Sequence, residues 1–84
     1  MYYVYVLQSL KDYFFYVGYT SDLKVRVKKH NKGLVPATKN RHPLKLVYYE
    51  ACLNRSDAIK REKYLKTSWG KRYIKNRLSN YLTG

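Results

Sequence analysis

Two phenols, a guanidinium, an imidazole and a carboxylate stand in this sequence at spacings that bear on chemistry. Residues 2–7 and 13–18 read as strands, and a hairpin that sets Tyr5 opposite Tyr16 brings their Cβ atoms about 5 Å apart on one face. Two hydroxyls would then converge on one point. Arg26 and His30 are four residues apart in a segment that reads as helix, about 400° of rotation, so they share a face. A guanidinium clamps a phosphate through two donors, and an imidazole offers a phosphodiester oxygen a hydrogen bond or a proton. Glu62 falls between Ala58 and Leu65 on the inward stripe of its own helix. A carboxylate there is costly without a cation or strong donors, and it suits a hard divalent metal such as Mg²⁺.

Each feature also has a plainer reading. Cross-strand tyrosines are ordinary sheet packing. Arg26 and His30 share their helix with Lys24, Lys28 and Lys29, as on a solvated basic face. Glu62 has Lys63 and Lys66 beside it as ion-pair partners, and Glu50, at the end of a strand, reads as an edge cap. Gly18 either starts a turn into the helix or lets a ligand approach the backbone. The C-terminal block interleaves Lys66, Lys71, Arg72, Lys75 and Arg77 with Trp69, Tyr73 and Tyr81. Its cations suit phosphates, and its aromatics suit bases or the core.

The elements that must position these residues follow from pattern. Tyr2–Leu7 and Tyr13–Gly18 are β-branched and aromatic, and a four-residue loop, Ser9–Asp12, joins them if Leu7 pairs with Phe14 and Gln8 with Tyr13. Thr20 or Ser21 is the expected N-cap of a helix that carries Asp22 in its first turn, buries Leu23 and Val27, and stops near Asn31 before Gly33. Residues 33–43 read as a basic loop. Residues 44–51 are almost continuously apolar, which predicts a central strand covered on both faces. Asn54 is the expected cap of a helix reaching about Lys66, with Asp57 at its third position and Leu53 as a staple. Ser68-Trp69-Gly70 breaks the pattern, and a last helix covers about Lys71–Leu78. The expected architecture is α/β of the α+β type. It is a small, mainly antiparallel three-stranded sheet flanked by helices in the order β-β-α-β-α-α.

Composition narrows the partners. Eighteen Lys and Arg against five Asp and Glu in 84 residues give a net charge of +13, which makes a polyanion the default partner. A hydrophobic content of 45% argues against a disordered basic tail. A chain this short reads as one domain, residues 1–84, with a thin core. Cys52 is the only cysteine, which excludes a disulfide framework and a Cys-based zinc site. No apolar stretch approaches the roughly 20 residues that span a bilayer, and the start of the chain lacks a basic segment and a small-residue cleavage site. The reading is a cytoplasmic protein with no membrane association.

Taken in order, the motifs resemble the GIY-YIG nuclease family, in its small stand-alone form. The signature stands as Tyr3-Val4-Tyr5 and Tyr16-Val17-Gly18. It continues through Tyr19-Thr20-Ser21-Asp22-Leu23, Arg26, His30-Asn31-Lys32-Gly33, Pro43 to Glu50, and Ala58-Ile59-Lys60-Arg61-Glu62-Lys63. The family's first glycine is Tyr3 here. The resemblance implies metal-dependent hydrolysis of nucleic-acid phosphodiesters, with DNA ahead of RNA as substrate and no obligate protein partner. Glu62 would hold one Mg²⁺ or Mn²⁺, Tyr5 by preference would take the proton of the attacking water, and Tyr16 would orient it. Arg26 would clamp the phosphate and His30 would assist as donor or relay. Gly18, Lys29, Lys39, Arg41, Lys66, Lys71, Arg72 and Asn76 are expected on the nucleic-acid surface. The alternatives are a binding module that does not cut and, further off, covalent attack by Tyr5 or Tyr16.

Overall fold

The computed structural model describes residues 1–84. The element order is β1 (Tyr2–Ser9), β2 (Phe15–Thr20), α1 (Leu23–Asn31), β3 (Leu44–Cys52), α2 (Arg55–Leu65), α3 (Ser68–Arg77) and α4 (Ser79–Thr83). The expected β-β-α-β-α-α series is present, with one short turn of helix, α4, added at its end. The sheet is antiparallel with strand order β2-β1-β3.

β1, not β3, is the central strand. Residues Val4 to Ser9 of β1 are all buried, whereas β3 alternates between half-buried and exposed along an edge. The apolar run in β3 was misleading because two of its members, Tyr48 and Tyr49, are amphipathic rings that leave one end in solvent. Side-chain alternation sorts β1 into two faces. Val4 and Val6 join Val17, Ala58, Leu65 and Ile74 in the larger core beneath α2 and α3. Tyr5 and Leu7 join Leu44 on the other face, with Leu23 and Val27 of α1 packed over them as the helical spacing requires.

The hairpin register differs from the expected one by two residues. Tyr5 pairs with Gly18, Leu7 with Tyr16 and Gln8 with Phe15. A two-residue slip preserves the face of every side chain, so Tyr5 and Tyr16 remain on one side as diagonal rather than direct partners. The connection is accordingly longer. Ser9 holds it, with its Oγ accepting from Lys11 N and Asp12 N, and Tyr13 adopts φ 63°.

Helix ends follow local capping chemistry. Asp22 itself caps α1, its carboxylate accepting from Val25 N at 3.2 Å, in place of the expected Thr20 or Ser21. Thr20 instead accepts from the Asp22 N–H. Asn54 caps α2 through Ser56 N and Asp57 N, as its sequence context predicts, but Leu53 is 83% exposed and staples nothing. Thr67 caps α3 by accepting from Gly70 N, so Ser68-Trp69-Gly70 is the first turn of that helix and not a break. Gly70 is required there because a Cβ would collide with the Tyr64 carbonyl and the Leu65 backbone at the end of α2. No helix is long and apolar enough to cross a membrane.

Candidate active site

The smaller face of the sheet holds a buried polar cluster. Tyr5 has no exposed surface, and neither has His30, which α1 lowers onto it. The Tyr5 hydroxyl lies 2.8 Å from His30 Nε2, and Arg26 Nε donates to the same oxygen at 3.3 Å. The four-residue spacing of Arg26 and His30 thus brings both to one phenol. The other imidazole nitrogen, Nδ1, lies 2.7 Å from Thr38 Oγ1. Tyr16 completes the group from β2, its ring centroid 5.1 Å from that of His30 and 6.4 Å from that of Tyr5.

Two tautomers satisfy this chain. In one, Tyr5 donates to Nε2 and Nδ1–H donates to Thr38. In the other, Thr38 donates to Nδ1 and Nε2–H donates to the Tyr5 oxygen. Under the second, two N–H donors meet that oxygen, the arrangement that favours a phenolate.

Gly18 gives the cluster its room. It faces Tyr5 across the ladder, and a Cβ on it would lie 2.5 Å from the Tyr5 hydroxyl oxygen and 3.2 Å from the Tyr16 ring. The phenol occupies the space that any other residue's side chain would need. The close approach is to a tyrosine of this chain, which is a third reading of the glycine beside turn and ligand contact.

Burial dominates the electrostatics. It pushes the Tyr5 phenol above its ordinary value, and the Arg26 hydrogen bond counters this without cancelling it. Burial first, then the nearby Arg26 charge, holds His30 down at about 4. His30 is therefore a neutral imidazole at pH 7, with one ring nitrogen donating and the other accepting. The negative charge of Glu62 is the smallest of the influences on Tyr5 and acts to raise it.

Glu62 is 16% exposed at its side chain, and its contact is Lys66 Nζ at 3.4 Å, one turn along the helix. No three His, Cys, Asp or Glu side chains gather anywhere in the structure to form a protein-made metal cage. The donors present fit a different mode. One hard carboxylate held by a flexible, half-exposed lysine suits a mostly hydrated Mg²⁺ or Mn²⁺, which keeps several of its waters. Glu50 has another role. It takes two hydrogen bonds from Arg61, at 2.8 and 3.0 Å, and one from Tyr48. These donors hold its carboxyl below the usual range.

The remaining expected surface residues do not all meet. Lys66 and Lys71 line a hollow with Tyr16 and Phe15, and Lys71 continues into a second one with Arg41. Arg72 stacks over Trp69, at 5.1 Å. Lys29 and Lys39 are exposed on α1 and on the loop before β3. Asn76 borders a separate hollow with Tyr73, Arg77, Ser79 and Asn80. Sequence reasoning missed Thr38. It sits in an irregular loop with no periodicity, and only the fold brings it under His30.

The family model described as the GIY-YIG catalytic domain matches residues 1–78. A UPF0213 protein of Clostridium perfringens is 45% identical over 67 residues, covering 79% of this chain and 71% of its own length. A UPF0213 protein of Staphylococcus saprophyticus is 42% identical over 66 residues, covering 77% of this chain and 79% of its own. Staphylococcus aureus has a UPF0213 relative with the same identity and coverage. No solved structure matches the chain significantly.

Proposed function

The chain belongs to the GIY-YIG catalytic domain family, a nuclease family, and on that premise we propose that it is a divalent-metal-dependent endonuclease that hydrolyses phosphodiester bonds of nucleic acid, DNA ahead of RNA. The whole of residues 1–84 would act as one cytoplasmic catalytic domain. The observation that carries the reading is the convergence of a guanidinium and an imidazole on the Tyr5 oxygen, at 3.3 and 2.8 Å.

In this reading each residue has one task. Tyr5 would act as the phenolate, its own proton already lost with the help of the two N–H donors on its oxygen, and would accept the proton of the attacking water. Tyr16 is half-exposed where Tyr5 is buried, so it meets the water first and orients it. Arg26 commits Nε to Tyr5, which leaves its terminal amino groups to hold the phosphate and offset charge in the transition state. His30 fixes the phenol and donates to it in the tautomer that Thr38 supports. Glu62 would hold Mg²⁺ or Mn²⁺, which on binding would supply Lewis-acid stabilisation of the phosphate and the departing oxygen. The same added charge would counter the burial that raises Tyr5.

The test is nicking of mixed single-stranded, duplex and branched DNA and RNA with Mg²⁺ or Mn²⁺, comparing the parent with Glu62→Gln and Tyr5→Phe. Metal-dependent cutting that each substitution lowers by about 10²-fold or more supports the mechanism. Cutting that survives in Glu62→Gln overturns it. One observation favours a second reading, a binding module that does not cut: no three His, Cys, Asp or Glu side chains gather into a protein-made metal cage. Salt-sensitive binding with no cleavage on any substrate would establish that reading.

A further inference from the structure

We propose that the tip of the β1–β2 hairpin, Tyr13 and Phe14, is a base-stacking platform, and that the protein therefore engages an unpaired DNA strand beside the candidate active site. This deepens the nuclease reading by naming the form of its substrate, but the binding it describes does not require cleavage.

Tyr13 and Phe14 are consecutive, and each leaves about two thirds of its surface in solvent, 67% and 68%. Adjacent large rings on a tip are costly to expose, and these are held outward rather than left loose. Tyr13 takes φ 63°, a conformation that bulky residues rarely adopt. Its N–H donates to the Ser9 carbonyl, its own carbonyl accepts from Gln8 Nε2, and Phe14 N donates to Asp12 Oδ1. The tip is also tied to the rest of the chain. Ser9 Oγ donates to the Arg41 carbonyl at 2.6 Å, and Leu10 N donates to the Pro43 carbonyl at 2.9 Å. A rigid mount that presents two ring faces suits a partner with flat faces of its own.

Charge names that partner. Tyr13, Phe14 and Phe15 border an open groove of about 510 Å³ with Arg41, Lys71 and Lys75. Phe15 and Lys71 also border the neighbouring hollow, which includes Tyr16 and Lys66. No acidic side chain lines either one. A cationic track thus runs from the aromatic tip to the solvent-facing phenol of the candidate active site. The track is short, because Phe14 precedes Tyr16 by two residues, about 7 Å of extended chain. The Arg41 guanidinium lies 5.9 Å from the Phe14 ring centre. Its Nε is ion-paired with Asp12 Oδ2 at 3.3 Å, and Nε and Nη2 are shielded from solvent, so Lys71 and Lys75 supply the groove's unpaired charge. Bases in a continuous duplex are already stacked on each other and cannot offer their faces to these rings, whereas unpaired bases can.

The test is equilibrium binding without divalent metal, so that nothing is cut. The probes are a labelled oligodeoxythymidine and a blunt duplex, with a 2-aminopurine version of the single strand to report stacking. The parent is compared with Phe14→Ser and with Tyr13→Ala/Phe14→Ala. The single substitution leaves the strained Tyr13 backbone untouched, and unfolding profiles check both variants. The expected result is a loss of about tenfold or more in single-strand affinity and of the 2-aminopurine quench, with duplex affinity unchanged. Phe14→Trp should retain both signals. Lys71→Ala should instead weaken both probes together. A parallel loss on single strand and duplex in the tip variants, or no loss on either, overturns the platform. A protein that never cuts can still pass this test. One that cuts duplex while its tip variants bind normally fails it and remains a nuclease.

Discussion

Gly18 stands directly opposite Tyr5 in the β1–β2 ladder, and the phenol of one fills the space that a Cβ on the other would claim. Tyr5 cannot swing aside, because its ring is fully buried and its oxygen is held by Arg26 and His30. Gly18→Ala should therefore destabilise the fold by about 1–3 kcal/mol, as overpacking does. It should lower cleavage further than that loss of folded protein explains. Thermal unfolding and nicking rates measured on the same preparation separate the two effects. An unchanged melting temperature with a normal rate would show that the ring has somewhere else to go.

Thr38 touches no substrate in the proposed mechanism and acts through His30. Thr38→Val keeps the shape and removes the hydroxyl that meets Nδ1. A buried imidazole nitrogen left unpaired costs about 1–3 kcal/mol of stability. The diagnostic readout is the pH profile of cleavage. Its ascending limb, set by deprotonation of Tyr5, should move to higher pH in the variant, because one donor to Tyr5 is no longer fixed. Thr38→Ser should restore the profile.

The depressed pKa of His30 makes stability depend on pH in a definite direction. Its folded value of about 4 lies below the unfolded value near 6.5, so protons favour the unfolded chain. The stabilisation is complete above pH 6.5 and is lost as pH falls toward 4. Roughly 2 kcal/mol should be gone by pH 5. Glu50, whose pKa is lowered by Arg61, contributes its own loss only below the ordinary carboxylate range. Denaturant titrations at pH 7, 6 and 5 should show the decline in the parent and a flatter curve in His30→Gln. Equal slopes would remove His30 as the cause.

Much of the fold and most of the cluster could be read from the chain, and the failures have physical causes. The Arg26–His30 pair was legible because helical spacing is local and rigid. The shielding of the Glu62 side chain was legible because a carboxylate interrupts an apolar stripe, and so was its pairing with Lys66. The direct opposition of Tyr5 and Tyr16 was not, because two registers two residues apart bury the same faces. What decides between them is the fit of a ring over Gly18, a three-dimensional fact. Thr38 was invisible for a similar reason. The central position of β1 was obscured because tyrosines in β3 imitate a buried run, although Tyr49 is mostly exposed and Tyr48 only half-buried.

Glu50 and Arg61 separate architecture from chemistry. Arg61 grips the Glu50 carboxylate with two donors and lies over the rings of Tyr73 and Tyr64, at 4.7 and 5.3 Å. Arg61→Met should lower stability by about 1–2 kcal/mol, since the pair is only partly shielded from water. It should leave the rate per folded molecule and the salt dependence of nucleic-acid binding where they were. A change in either would draw Arg61 into the functional surface.

β1 has a hydrogen-bonded neighbour on each side, and Tyr5 lies in the middle of it. Its amide can reach solvent deuterium only when the ladder it donates to parts at the centre of the sheet, an opening close to loss of the whole fold. The residue assigned to proton transfer is thus planted in the most slowly exchanging part of the molecule. Adaptation to different strands must come from the periphery, where lysines can shift without disturbing the phenol.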